Sequence, residues 1–129
     1  MENKMKKIFT GSLLMLLLVS LTQAADLGYV TSVQKVTGLN NIEYIKVGHS
    51  GNTINSSMVT GVASPFQYYT EFLIQLGSDD TYNNMQYATM LKCLSTHTLT
   101  IEAISGSAGY PIQAGDWRIL LTNYKINNP

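Results

Sequence analysis

The sequence predicts a mainly β fold of five strands, with a single helix between the third and the fourth. Three observations carry this. Only one stretch after the N-terminal region, Asp79 to Leu94, reads as a helix. Five other segments are rich in Val, Ile, Thr and Tyr, as strands are. Charge is sparse, at 12% of residues, among many Thr, Ser, Asn and Tyr. One helix with a packing stripe, set among strands, has to lie across a sheet or barrel.

The chain opens with a targeting segment. Lys4, Lys6 and Lys7 form a basic start, and an apolar run follows from Leu13 to Leu21, broken only by Ser20. Thr22-Gln23-Ala24 then offers small residues to a signal peptidase. The run is too short to span a bilayer, so residues 1–24 read as a secretory signal peptide and 25–129 as one domain. The expected location is periplasmic or secreted. Removing Lys4, Lys6, Lys7 and Glu2 leaves five basic and seven acidic residues, a net charge of −2. That balance argues against nucleic acid and against a polybasic membrane contact.

The first strand is read over Gly28 to Val36, its imperfect alternation pointing to a bulge. Gly38-Leu39-Asn40-Asn41 is a turn, and Ile42 to Val47 completes a hairpin. Gly48 to Pro65 is irregular, with a short strand expected near Met58 to Val62 and an Asn55-Ser56-Ser57 glycosylation pattern. Tyr68 to Leu76 has the clearest alternation, with Phe72, Ile74 and Leu76 on one face. In the helix, Asp79, Asp80 and Thr81 are N-cap candidates. Tyr87, Ala88, Leu91 and Leu94 form the expected packing stripe with Met90 at its edge, leaving Met85, Gln86, Thr89, Lys92 and Cys93 on the other side. Thr98 to Ile104 is the fourth strand, with Leu99, Ile101 and Ala103 on one face. Gly106-Ser107-Ala108-Gly109 opens an expected loop, and Trp117 to Ile126 is the fifth strand.

This order matches the oligonucleotide/oligosaccharide-binding (OB) barrel, a five-stranded Greek-key barrel. The stretch Phe72 to Ile101, with its acidic turn, the helix end YATMLKCLSTHT and the strand TLTI, resembles the B subunits of AB-type toxins. The resemblance is to the pertussis, subtilase and cholera groups, although the cysteine pair many of those subunits carry is missing. It implies an OB-like barrel that recognises a glycan or a host protein as an oligomer, with a pentamer the leading expectation. It carries over no binding residue by motif.

No catalytic constellation is legible. His49 and His97 are not in a metal-ligand spacing, and no nucleophile elbow or phosphate loop occurs. His49 and Ser50 are neighbours, but adjacent residues on a strand point opposite ways. No metal, cofactor or enzyme activity is therefore expected. Eight Tyr and one Trp among amides and hydroxyls suit sugar recognition, since ring faces stack on C–H groups. Trp117 with Asp116 and Arg118 is the sharpest candidate site. Its alternative is a ring packed over the barrel mouth. Tyr68 and Tyr69 project to opposite sides of their strand, so one of them is a second binding candidate. Met85, Thr89, Lys92 and Cys93 lie on a charge-poor helix face that would suit contact between copies, the alternative being cover by the Gly48 to Pro65 segment of the same chain. Cys93 alternatively reads as a small half-buried hydrophobe. The competing functional reading is a structural or adaptor protein of the bacterial cell envelope without a small ligand.

Overall fold

The computed structural model describes residues 25–51 and 70–129. The readings for residues 1–24, for Met58 to Val62, for Asn55-Ser56-Ser57 and for Tyr68 and Tyr69 lie outside them.

Five strands close into a barrel in the order β1-β2-β3-β5-β4. They are β1 (Ala25–Thr37), β2 (Glu43–His49), β3 (Glu71–Gln75), β4 (Thr100–Gly109) and β5 (Arg118–Asn127), with helix α1 (Asp80–Thr96) between β3 and β4. Neighbours pair antiparallel except β3 and β5, which run parallel through Phe72–Ile119 and Leu73–Leu120. The pairing of β1 with β4 closes the ring. This is the OB-like barrel, with its helix between the third and fourth strands.

β1 is the longest strand, and it bends around the barrel at bulges. Its register slips between Asp26 and Gly28 against β4, and between Val30 and Ser32 against β2. Gly28 holds φ +75°, a conformation that glycine adopts without strain, and its N–H donates to Asp26 Oδ1 at 2.9 Å. The Gly38 to Asn41 turn is a single 3₁₀ turn over Leu39–Asn41.

Two expectations need correction. Gly106 to Gly109 is strand, not loop: β4 runs to Gly109, paired residue by residue with β5. The glycine there is explained by close approach. A Cβ on Gly106 would fall 2.4 Å from the Leu120 carbonyl oxygen. The helix is also rolled away from the expected stripe. Met90 and Cys93 are fully buried, with Tyr87 and Leu94 packed against the same core. Leu91 is exposed at 39% and Ala88 is exposed.

The core gathers Leu27, Val30, Ile45, Val47, Phe72, Ile74, Leu76, Ile101, Ala103, Ile119 and Leu121 around Met90 and Cys93. Of the inward faces expected for the third and fourth strands, Phe72, Ile74, Leu76, Ile101 and Ala103 are buried, and Leu99, just before β4, is half-buried. Leu73 is buried too, although alternation turns it away from Phe72 and Ile74. The helix is started by Asp79, whose Oδ1 accepts the Tyr82 N–H at 3.1 Å. It ends on His97 in the left-handed region, φ 53°. Lys35 of β1 sits with Nζ 4.6 Å from the Tyr87 ring centre, a cation–π contact between strand and helix. Among the described residues, no helix is long and apolar enough to cross a membrane.

Candidate ligand-binding surface

Two connections meet at one place on the barrel, the β1–β2 turn and the β4–β5 loop of residues 110–117. The Leu39 N–H donates to the Pro111 carbonyl at 2.8 Å. Gly38 makes this approach possible, because a Cβ there would stand 2.0 Å from the same oxygen. The turn closes on itself through Gly38 N–H to Ile42 O at 2.8 Å. Pro111 is buried beneath the junction.

The residues beside Pro111 are aromatic. The Tyr110 and Trp117 rings stand 4.4 Å apart between centroids at 56°, a tilted stack. Trp117 is half-buried and packed against the core, while Tyr110 is 44% exposed. The stack is therefore anchored on one side and open on the other. The loop between the rings is held by the Asp116 N–H, which donates to Gln113 O at 3.2 Å, and turns through Gly115 at φ +93°. The ring of Trp117 packs on the core, as its packed reading expected, and also faces an exposed aromatic partner.

Arg118 is not part of that open surface. It is 8% exposed, and its guanidinium lies 3.6 Å from Glu71 Oε2, with Lys46 Nζ 3.9 Å from the same oxygen. The two cations lie against one carboxylate across β2, β3 and β5. Asp116 stays half-buried next to Trp117. Tyr110 escaped the sequence reading. The signal for it was an isolated aromatic in Gly109-Tyr110-Pro111, which became informative only with the loop contact in view.

The four residues expected at a contact between copies divide. Met85 is 56% exposed and Lys92 is exposed. Thr89 is half-buried, its hydroxyl donating to Met85 O at 2.8 Å. Cys93 belongs to the core of its own chain, where burial pushes its thiol up from the ordinary value. It is a packing residue and not a surface thiol.

His49 is 3% exposed, its ring 6.0 Å from that of Phe72. Ser50 does not face it as a nucleophile would. The Ser50 Oγ accepts the Tyr29 N–H at 3.2 Å. Among the described residues, no group of three His, Cys, Asp or Glu side chains is placed to hold a metal ion.

No protein-family model, curated protein or solved structure matches the chain.

Proposed function

We propose that this chain is an exported, non-enzymatic binding domain that recognises a glycan, and that it acts as a homo-oligomer in the manner of toxin B subunits. The observation that carries the reading is the Tyr110–Trp117 stack at the junction of the β1–β2 and β4–β5 connections. Those connections are the ones OB barrels use to bind oligosaccharides and oligonucleotides. A net charge of −2 for residues 25–129 disfavours the polyanion and leaves the sugar. An exposed ring on a rigid, core-anchored partner suits a sugar C–H face, because little side-chain freedom is lost on binding.

Oligomer formation is supported by the outer side of α1, where Met85 and Leu91 are exposed and Lys92 is the one charged residue between Tyr82 and Leu94. Export is supported by the basic start and Leu-rich run of residues 1–24.

The test is a glycan array probed with the purified protein and with Tyr110→Ala. Binding to a defined glycan that falls on Tyr110→Ala, with thermal stability unchanged, supports the reading. A bound glycan whose affinity is indifferent to both Tyr110→Ala and Trp117→Phe removes this surface as its site. No binding to any glycan favours the envelope adaptor instead.

A further inference from the structure

A second concavity lies where β3 hands over to α1. It is an open depression of about 420 Å³ lined by residues 75–79, Ser78 among them, with Tyr82, Asn83 and Thr122. This volume is within the range of small-ligand sites. Tyr82 stands in it with 44% of its surface exposed.

The walls are fixed by hydrogen bonds, so the shape exists before any ligand arrives. The Asn83 side chain clasps Gly77 twice, its Nδ2 donating to Gly77 O at 2.8 Å and its Oδ1 accepting the Gly77 N–H at 3.1 Å. Asp79 Oδ1 holds the Tyr82 N–H at 3.1 Å, which sets the first helical turn and the root of the Tyr82 side chain. On β5, the Thr122 hydroxyl is bonded to that of Ser105 at 3.0 Å.

We propose that this depression is a second carbohydrate subsite, taking an uncharged hexose on the face of Tyr82. Among the described residues the lining includes no Lys, Arg or His, and Asp79 is its one charged side chain. A sialic acid, sulfate or phosphate would find no cationic side chain among the described residues there, and the Asp79 carboxylate already occupies the N-terminus of α1 and would repel it. The lining surface is mainly apolar, with the carboxamides of Gln75 and Asn83 and the hydroxyls of Ser78 and Thr122 among it. That combination matches a hexose, whose C–H face needs an aromatic ring and whose hydroxyls need Gln75 and Ser78. The subsite rests on the sugar-binding reading above but on none of its residues.

The experiment is an amide-resolved NMR titration of the ¹⁵N-labelled protein with methyl glucoside and methyl galactoside, and with sialic acid as the anionic control. Millimolar hexose is expected to shift the amides of Gly77, Asn83 and Thr122, with no such shift from sialic acid. Tyr82→Ala should weaken binding here by up to about tenfold, the worth of one aromatic contact, while Tyr82→Phe keeps it. Tyr110→Ala should leave these shifts in place. Hexose shifts confined to the Tyr110–Trp117 loop would overturn the subsite and leave the first surface standing. Shifts at Gly77 and Asn83 that persist unchanged in Tyr82→Ala would overturn it as well. So would equal shifts from sialic acid, or none from either hexose.

Discussion

The Tyr124 hydroxyl on β5 donates to Gln86 Oε1 on α1 and so ties the last strand of the barrel to the helix that fills it. Burial, followed by the nearby Tyr82 and Cys93, pushes the Tyr124 hydroxyl up to about 12 from 10.0. Tyr124→Phe removes the bond and leaves Gln86 without this donor. It should cost about 0.5–1.5 kcal/mol in denaturant unfolding. The sign with pH follows from the raised value. The stabilisation is fully present below pH 10 and is lost as pH rises through about 12. An alkaline absorbance titration should show one tyrosine ionising last, and Tyr124→Phe should delete that step.

The roll of the helix makes a second prediction. Met90 is fully buried and Leu91 is 39% exposed, although they are neighbours of similar size. Met90→Ala should cost about 2–5 kcal/mol. Leu91→Ala should stay within about 0.5 kcal/mol of the parent. Cys93, buried with a raised thiol value, should react with a thiol reagent only as fast as the barrel opens. Equal losses at Met90 and Leu91, or immediate labelling of Cys93, would mean that the helix is turned differently.

The same roll shows what the sequence could and could not disclose. The order of elements was legible because β-branched runs, turn residues and one capped helical stretch each carry a local signal. The helix face was not. Tyr82, Met85 and Leu91 point outward while Gln86 and Asn83 point partly inward, so apolar residues ring the helix and periodicity cannot choose a side. Gln86 turns inward because Tyr124 supplies its partner, a contact made across 38 residues of chain. Gly106 misled for the opposite reason: its local signal says loop, while its cause is the Leu120 carbonyl on the neighbouring strand. Trp117 was legible as a lone ring after a glycine-rich segment, but its stacking partner Tyr110 was not.

A third prediction concerns acid. His49 is buried at the end of β2, between β1 and β3. Burial lowers its proton affinity from the ordinary 6.5, outweighing the Leu27 backbone and Glu71, which favour the charged form. Glu71 offers limited relief, since Lys46 and Arg118 already lie against it. A depressed value in the folded state means that the unfolded chain binds the proton better. Stability is therefore whole above 6.5 and falls as pH drops below it. The thermal midpoint should decline from about pH 7 to about pH 5. His49→Leu should flatten that decline. An unchanged slope in the variant would place the acid sensitivity elsewhere.

The last prediction is assembly. A solvated helix face ordinarily carries charge, yet the outer side of α1 presents Met85, Ala88 and Leu91 with Lys92 alone among them. Burial of Cys93 removes the thiol from this face, so any contact between copies is made by packing and not by a disulfide. Apolar side chains left in water at 56% and 39% exposure gain free energy when a second copy covers them, at roughly 25 cal/mol per Å² removed. Charge placed there should reverse that gain without harming the fold, because Glu is a good helix former and the positions face away from the core. Light scattering should give the parent protein a multiple of the monomer mass, with a pentamer the first expectation. Met85→Glu combined with Leu91→Glu should shift it toward the monomer with the thermal midpoint of the barrel little changed. A monomeric parent at micromolar concentration would end the proposal of contact through α1, and an oligomer that survives both charges would move the interface to another face.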